Sequence, residues 1–453
     1  MKQSHLEEVF NYVDKNADIC LNQLKRLAAQ PSVSAQNLGV KECADLVKEM
    51  MEASGFKVRL LPVNGGPPVV FGELWSEGAR ETILMYSHYD VQPPEPQDEW
   101  SSEPFRPEVR DGRLYGRGVA DDKGILVGRL MAIRAIKDTV GKLPVNLKFF
   151  VEGEEEIGSV HLHEFVGKNK ELLKADACLW EGGQRDPKGR PAIYLGMKGL
   201  LYVELRSKTA SVDQHSSLAP ILPNPAWRLI WALNTFKDQN ERVLVDGFYD
   251  HVLKPSKKDL KMLQKIPLEE KDYRDTFGVR SFLRGLRGME LKKTLYFTPT
   301  CTICGFDSGY KGPGAKTVNP KEARVKIDFR LVPEQRTGDI FAKVKRHLVK
   351  HNFGDVEAVK IDAEEPARAP LDSKIVRVTV DTAKLVYHLK AVIEPILYAS
   401  GPMASFLNEL KFPISSGECI ARPDSKIHAP NENIRVEDYI LGIKHIAAIL
   451  LSY

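Results

Sequence analysis

VNLKFFVEGEEEIGS, residues 145–159, runs from an apolar stretch straight into four glutamates within five positions. The first half reads as a strand buried on both faces, because its apolar residues are nearly continuous rather than alternating. The second half is costly. Carboxylates this close repel one another, and none of them gains from core burial. The stretch therefore asks for a fold whose strand ends meet something positive.

Working outward, the first 200 residues alternate between strand and helix signals. VKECADLVKEMMEA, 40–53, has helical spacing and stops at Gly55. KVRLLPV (57–63), ETILMYSH (81–88) and ACLWEGG (177–183) read as further strands, with helices GILVGRLMAIRAIKD (124–138) and HLHEFVGKNKELL (161–173) among them. Such alternation predicts an α/β layer with a mostly parallel sheet. Ligands of such sheets bind beyond the carboxyl ends of the strands.

The pattern changes near residue 199. Strand-like LLYVELRSK leads to an aromatic-rich helix, PAWRLIWALNTF, and then to a basic, irregular stretch over 250–300. A strand, ARVKIDFRLVP, and an amphipathic helix, TGDIFAKVKRHLVKH, follow. This is α+β composition, read as an inserted domain. EEPARAPLDS, 364–373, is a proline-bearing return linker, and VEDYILGIKHIAAILLSY is a final helix with a broad apolar face. The expected organisation is a catalytic domain in two parts, 1–198 and 367–453, around a lid at 199–366. A chain of 453 residues is long for a single core, which agrees with two domains.

The composition, 43% apolar and 28% charged, is that of a globular chain. A net charge of +4, with both signs interspersed, argues against nucleic acid or an anionic membrane as principal partner. The N-terminal segment lacks the apolar core of a signal peptide, and no run is long enough to span a membrane. Six sparse cysteines predict reduced thiols and a cytoplasmic location. Cys301 and Cys304 form a lone C-x-x-C, read as thiols in or near a strand.

His, Asp and Glu residues just past apolar strands form a short set. His88 and Asp90 follow TILMYS, Asp121 and Asp122 follow the turn DGRLYGRGVA, Glu154, Glu155 and Glu156 follow FFVEG, and Glu181 follows ACLW. His428 lies in the turn-rich SKIHAPNEN. Any one of them could be a surface residue or a helix cap. Together at one sheet edge they call for a cation. Oxygen and imidazole donors without thiolate suit zinc, manganese or cobalt. The expected ligands of a metal pair are His88, Asp121, Glu156, Glu181 and His428, with Asp121 bridging, and a water between the ions would be the nucleophile. Asp90, two residues from His88, is placed to hold the imidazole through its second nitrogen. Glu155 is the expected general base. Glu152 and Glu154 are expected in outer or solvated positions.

The runs SHYDVQ, DGRLYGRGVADDKG, EGEEEIGS and FRLVP together resemble the M20 metallopeptidases, in particular the carnosinase-like, cytosolic non-specific dipeptidase branch. The resemblance follows the chain in order over nearly its whole length. It implies a bridging Asp121 joined to Asp122 by a cis peptide, catalysis by Asp90 and Glu155, and His428 as the late ligand. It also implies a lid in which His215, in VDQHSS, polarises the scissile carbonyl in the partner subunit of a homodimer. KTVNP and FRLVP match substrate segments, making Arg330 the clamp on a free α-carboxylate, with Thr317 beside it. Two positions depart from that branch: Glu181 stands where it has aspartate, a choice more typical of deacylases, and Ser217 where it has glycine.

The function expected is cleavage of a dipeptide or small peptide with a free carboxylate by a dinuclear metal site. The rival readings are an N-acyl-amino-acid deacylase with the same centre and a non-catalytic binding protein of the same fold. A serine or cysteine hydrolase lacks its nucleophile elbow.

Overall fold

The computed structural model describes residues 3–453. Six strands form the central sheet, in the order Lys57–Val63, Gly66–Leu74, Asn146–Glu152, Thr82–His88, Ala177–Trp180 and Ile414–Ser416. The last four run parallel. The first two make an antiparallel hairpin on one side. All four parallel strands therefore end at one edge, where His88, the 152–156 glutamates and Glu181 stand.

Alternate side chains of the strands enter two cores. Ile83 and Met85 join the helices Lys123–Val140 and Val436–Ser452 on one face, while Leu84 and Tyr86 join Leu162–Lys168 and Met403–Leu410 on the other. Each large apolar side chain buried this way contributes about 1.5–3 kcal/mol. Near the strand ends the Tyr86 and Trp180 rings stack at 3.8 Å, with Phe406 edge-on to both. That aromatic block is the floor beneath the sheet edge.

Two of the strands are not legible in the sequence. Gly66–Leu74 carries Pro67 and Pro68, which normally exclude an inner strand. Its ladder to Asn146–Glu152 begins only at Val70, so the prolines lie beyond it. Ile414–Ser416 has three residues, too few for a period, and is a strand because Ala177–Trp180 pairs with it.

The chain leaves this body at Gly196–Met197 and re-enters at Ala367–Arg368, and these two segments pair antiparallel. Between them lies an antiparallel sheet in the order Thr302–Ser308, Glu322–Leu331, Gly199–Lys208, Glu357–Glu364. Helices Pro225–Leu233 and Thr337–Lys350 cover one face of it. The first of these helices starts at a proline, with the Asn224 side chain accepting the Ala226 and Trp227 N–H groups.

The 250–300 stretch is not irregular. It contains helices Lys257–Lys265, Glu270–Phe277 and Gly288–Phe297. Leu263, Ile266 and Tyr296 from this stretch pack on Val392 and Ile396 of the body. Their apolar stripes are narrow, so lysines and arginines dominate the local pattern and hide the helical period. Among the described residues no helix is long and apolar enough to cross a membrane.

Candidate metal centre

His88 closes the strand Thr82–His88 and is buried. Its backbone N–H donates to Asp122 Oδ2 at 3.3 Å. Its ring Nε2 lies 3.1 Å from Asp121 Oδ1 and 3.5 Å from Glu181 Oε2. The other histidine arrives from a different part of the chain: His428 Nε2 is 3.2 Å from Asp121 Oδ2 and 3.0 Å from Glu156 Oε2. The two oxygens of Asp121 thus face two different imidazoles. Gln92 Nε2 holds Glu156 Oε2 at 2.9 Å. All five residues chosen from the sequence as ligands meet at this edge.

Two sets of donors could each hold an ion: His88, Asp122 and Glu181, and Asp121, Glu156 and His428, with the ligand atoms of each set within 4.8 Å of one another. Asp122 had no such part in the sequence reading. Its carboxylate lies on the His88 side, with Oδ2 at 3.3 Å from the His88 backbone nitrogen, and the Asp121–Asp122 peptide is cis.

Asp90 works at both ends. Its backbone carbonyl is 3.0 Å from His88 Nδ1 and its carboxylate Oδ1 is 3.3 Å away. The same carboxylate accepts the Glu155 and Glu156 backbone N–H groups at 3.2 and 3.1 Å, tying the glutamate turn to the histidine strand. Glu152 and Glu154 are not solvated, since both are buried. Glu152 accepts the Tyr86 hydroxyl at 2.6 Å and Ser159 Oγ at 3.0 Å, and Glu154 pairs with His161 at 3.0 Å.

Two buried ion pairs beneath the edge escaped the sequence reading. Arg129 donates to Glu418, to the Trp180 carbonyl at 2.8 Å and to the Tyr86 carbonyl at 2.5 Å, so it joins three strand ends. The only signal was a charge inside the apolar helix GILVGRLMAIRAIKD. Glu432, four residues past His428, accepts Arg117 Nη1 at 2.8 Å and the backbone N–H groups of Gly118, Ala120 and Asp121 at 3.0, 2.8 and 3.2 Å. It links the loop of one imidazole to the loop of the shared aspartate.

The lid residues lie elsewhere. His215 and Thr317 are exposed, and His215 Nε2 is 3.1 Å from Thr317 Oγ1. Ser217 engages Nδ1 through its backbone N–H at 3.2 Å and its Oγ at 2.8 Å. Neither His215 nor Thr317 touches the centre. Arg330 does approach it: Nη1 donates to Ser400 Oγ at 2.8 Å and Nε to Asp328 Oδ2 at 3.1 Å. Gly401, next to Ser400, lies beside Glu155; a Cβ there would sit 3.8 Å from Glu155 Oε1.

The electrostatics are those of a cluster short of positive charge. Burial works against a charged His88, yet Glu181, Asp121, Asp90 and Glu155 hold its pKa well above the ordinary value. Hydrogen bonds donated by the His428 ring to the Asp121 and Glu156 carboxylates carry its pKa up to about 10. Burial, with neighbouring carboxylates adding to it, pushes Glu155 and Glu181 well up, and lifts Asp122 to about 7. Against its burial, Asp121 is held below the usual carboxylate range by the two imidazoles. Glu181 Oε2 is buried and accepts no hydrogen bond. An oxygen and nitrogen donor set with an orphaned carboxylate oxygen fits divalent cations.

The sequence profile of peptidase family M20/M25/M40 matches residues 84–452. The chain belongs to this family. Human Beta-Ala-His dipeptidase is 30% identical over 99% of this chain and 92% of its own length. The Cys-Gly metallodipeptidase of Schizosaccharomyces pombe is 30% identical over 77% of this chain and 76% of its own. Among solved structures, an M20 family metallo-carboxypeptidase of Sulfolobus solfataricus superposes with a TM-score of 0.90 at 38% identity, covering 95% of this chain and 98% of that one. M20 membership makes this chain a peptidase that binds divalent metal ions.

Proposed function

We propose that this M20 chain cleaves the peptide bond of dipeptides or small peptides carrying a free carboxylate, at a dinuclear metal centre. The observation that carries the reading is the pair of donor sets meeting across Asp121, whose two oxygens face His88 and His428 at 3.1 and 3.2 Å. His88, Asp121, Glu156, Glu181 and His428 hold the metals, Asp122 standing beside the first of them. Two divalent ions, zinc in preference to manganese or cobalt, would polarise the scissile carbonyl and lower the pKa of the attacking water.

The remaining steps belong to the protein. Glu155 takes a proton from the attacking water at its carboxylate and passes it to the leaving nitrogen. Asp90 fixes the His88 ring and the Glu155–Glu156 turn, so the base and the ligands keep one geometry. Arg330, whose Nε is held by Asp328 and whose Nη1 is held by Ser400, clamps the substrate carboxylate through Nη2. The names of the human and fission-yeast relatives, both dipeptidases, support the substrate class.

The lid spans 199–366, between body parts 1–198 and 367–453, and the side-by-side exit and re-entry segments support those limits. A homodimer forms through this lid, bringing His215 and Thr317 to the partner's centre. Trp227 and Trp231, stacked at 6.0 Å on an open helix face, are each 55% exposed and support that contact. A monomeric mass by sedimentation equilibrium at working concentration would remove this part. Six free cysteines accord with a cytoplasmic setting.

The deciding experiment is a panel of dipeptides against N-acetyl and N-succinyl amino acids, with metal-loaded and chelator-treated protein. Turnover of dipeptides only, and only with metal, is expected. Turnover of acylated amino acids alone would give the function to the deacylase reading, which Glu181 favours.

A further inference from the structure

Away from the carboxylate edge, a cavity of about 500 Å³ opens where helix Glu270–Phe277 of the insertion faces strand Val392–Glu394 of the body. Tyr273, Phe277, Tyr296 and Tyr398 line it, and Glu394 stands among them. Tyr296 meets Tyr398 edge to face at 5.8 Å, and Tyr273 lies 5.9 Å from Phe277. Ile266, Leu268 and Val392 supply much of the remaining wall.

The charges around this cage leave it negative. Glu394 has the Tyr296 hydroxyl as its hydrogen-bond partner, and among the described residues no lysine or arginine pairs with it. Arg185, which also lines the cavity, is committed to Asp438 and to the Gly189 carbonyl. Arg190 already neutralises Asp186 at 2.7 Å. Asp272 adds further negative charge at the cavity wall, while Glu269 there lies 3.8 Å from the Lys188 ammonium. Burial, with Asp186 adding to it against the Tyr296 hydrogen bond, pushes the Glu394 carboxyl up to about 7.

Aromatic faces turned on one space, with a carboxylate beside them, attract cations that are poorly hydrated. We propose that this cavity binds an organic cation, an ammonium or guanidinium group carried on an apolar stem. The head would meet Glu394 and the tyrosine faces, and the stem Ile266, Leu268 and Val392. The cavity also adjoins the metal centre along the chain. Gln184 in its wall is three residues past Glu181, and Tyr398 is two residues before Ser400, the partner of Arg330. Three residues span at most about 10 Å. The cation is therefore either a side chain of the bound peptide or a free amine, and the test separates the two.

Agmatine is titrated by calorimetry into the metal-loaded enzyme, with 1-hexanol as an uncharged probe of similar stem. Agmatine binding is expected, with hexanol weaker by about tenfold or more, and Glu394→Gln and Tyr398→Ala each lowering agmatine affinity by about tenfold or more. Near-UV circular dichroism matching the parent shows that each variant is folded; Tyr398 is half-exposed, so its loss leaves the core intact. In the second arm, kcat/KM is compared for Ala-Arg and Arg-Ala against their norleucine counterparts. A preference for arginine that agmatine inhibits competitively, and that weakens in Glu394→Gln, assigns the site to the substrate side chain. Agmatine binding without such a preference assigns it to a free amine. Failure of agmatine to bind at millimolar concentration, or equal affinity in the parent and both variants, overturns the proposal. Because the first arm reads binding alone, its failure is distinct from failure of the dipeptidase reading.

Discussion

Asn146–Glu152 in the central sheet is buried at every position, whereas Glu322–Leu331 in the inserted sheet buries every second one. The first strand has helices on both faces. The second has Ala323, Val325, Ile327, Phe329 and Leu331 on its covered face and Arg324, Lys326, Asp328 and Arg330 on the open one. A strand packed from both sides has an end that cannot shift without opening two cores, so the carboxylates that follow it are held rigidly. A strand packed from one side keeps a row of side chains free to reach another surface. The same chain thus places the candidate metal ligands on the first kind of sheet and the proposed substrate clamp, Arg330, on the second.

Four substitutions sharpen or break that contrast. Asp121→Ala removes the carboxylate between the two imidazoles. Dipeptide turnover should fall to background and metal content measured by atomic absorption should drop; full retention of both would end the metal-centre reading. Glu155→Gln keeps the turn but removes the proposed base. Turnover should fall about 10²–10⁴-fold while metal content holds, and simultaneous loss of metal would make Glu155 a ligand instead.

Arg129→Met leaves Glu418 buried without its partner beneath the rigid edge. A loss of about 3–5 kcal/mol in denaturant unfolding is expected, and a change within error would show that the edge does not depend on this pair. Arg330→Ala, on the open face of the inserted sheet, should leave unfolding nearly unchanged. It should lower kcat/KM about 10–100-fold through the loss of a charge-assisted contact. Destabilisation as large as that of Arg129→Met would erase the distinction between the two sheets.

One titration bears on the rigid side as well. His445 is buried between the Gly417 and Thr379 carbonyls, at 2.9 and 3.0 Å, and burial lowers its pKa to about 4. Its folded-state pKa lies below that of an unfolded histidine, about 6.5, so the unfolded chain binds the extra proton first. Its contribution to stability is whole above pH ~6.5 and is lost as pH falls toward 4. Histidine NMR resonances should show this ring still neutral at pH 5, and a midpoint near 6.5 would refute it.

Much of the centre was legible because its residues follow apolar runs directly. TILMYS ends at His88, FFVEG leads to Glu155 and Glu156, and ACLW leads to Glu181. A parallel sheet must bring such ends together, whatever the loops do. The pairs that brace the centre were not legible. Arg129 and Glu418 are 289 positions apart and Arg117 and Glu432 are 315 apart, and nothing local marks either partner. Asp122 joins His88 and Glu181 only through their approach in space. The short strand Ile414–Ser416 depended on a neighbour.

By itself, then, the order of residues determined the parallel layer, the edge where the carboxylates and imidazoles collect, and the presence of an insertion, since hydrophobic period and strand-end chemistry are local properties. Tertiary structure alone decided how the 250–300 helices dock on the body, which buried charges neutralise one another, and that Tyr273, Phe277, Tyr296, Tyr398 and Glu394 line one cavity. Those contacts join segments far apart in sequence, and their free energy comes from desolvation and packing that exist only once both surfaces have met.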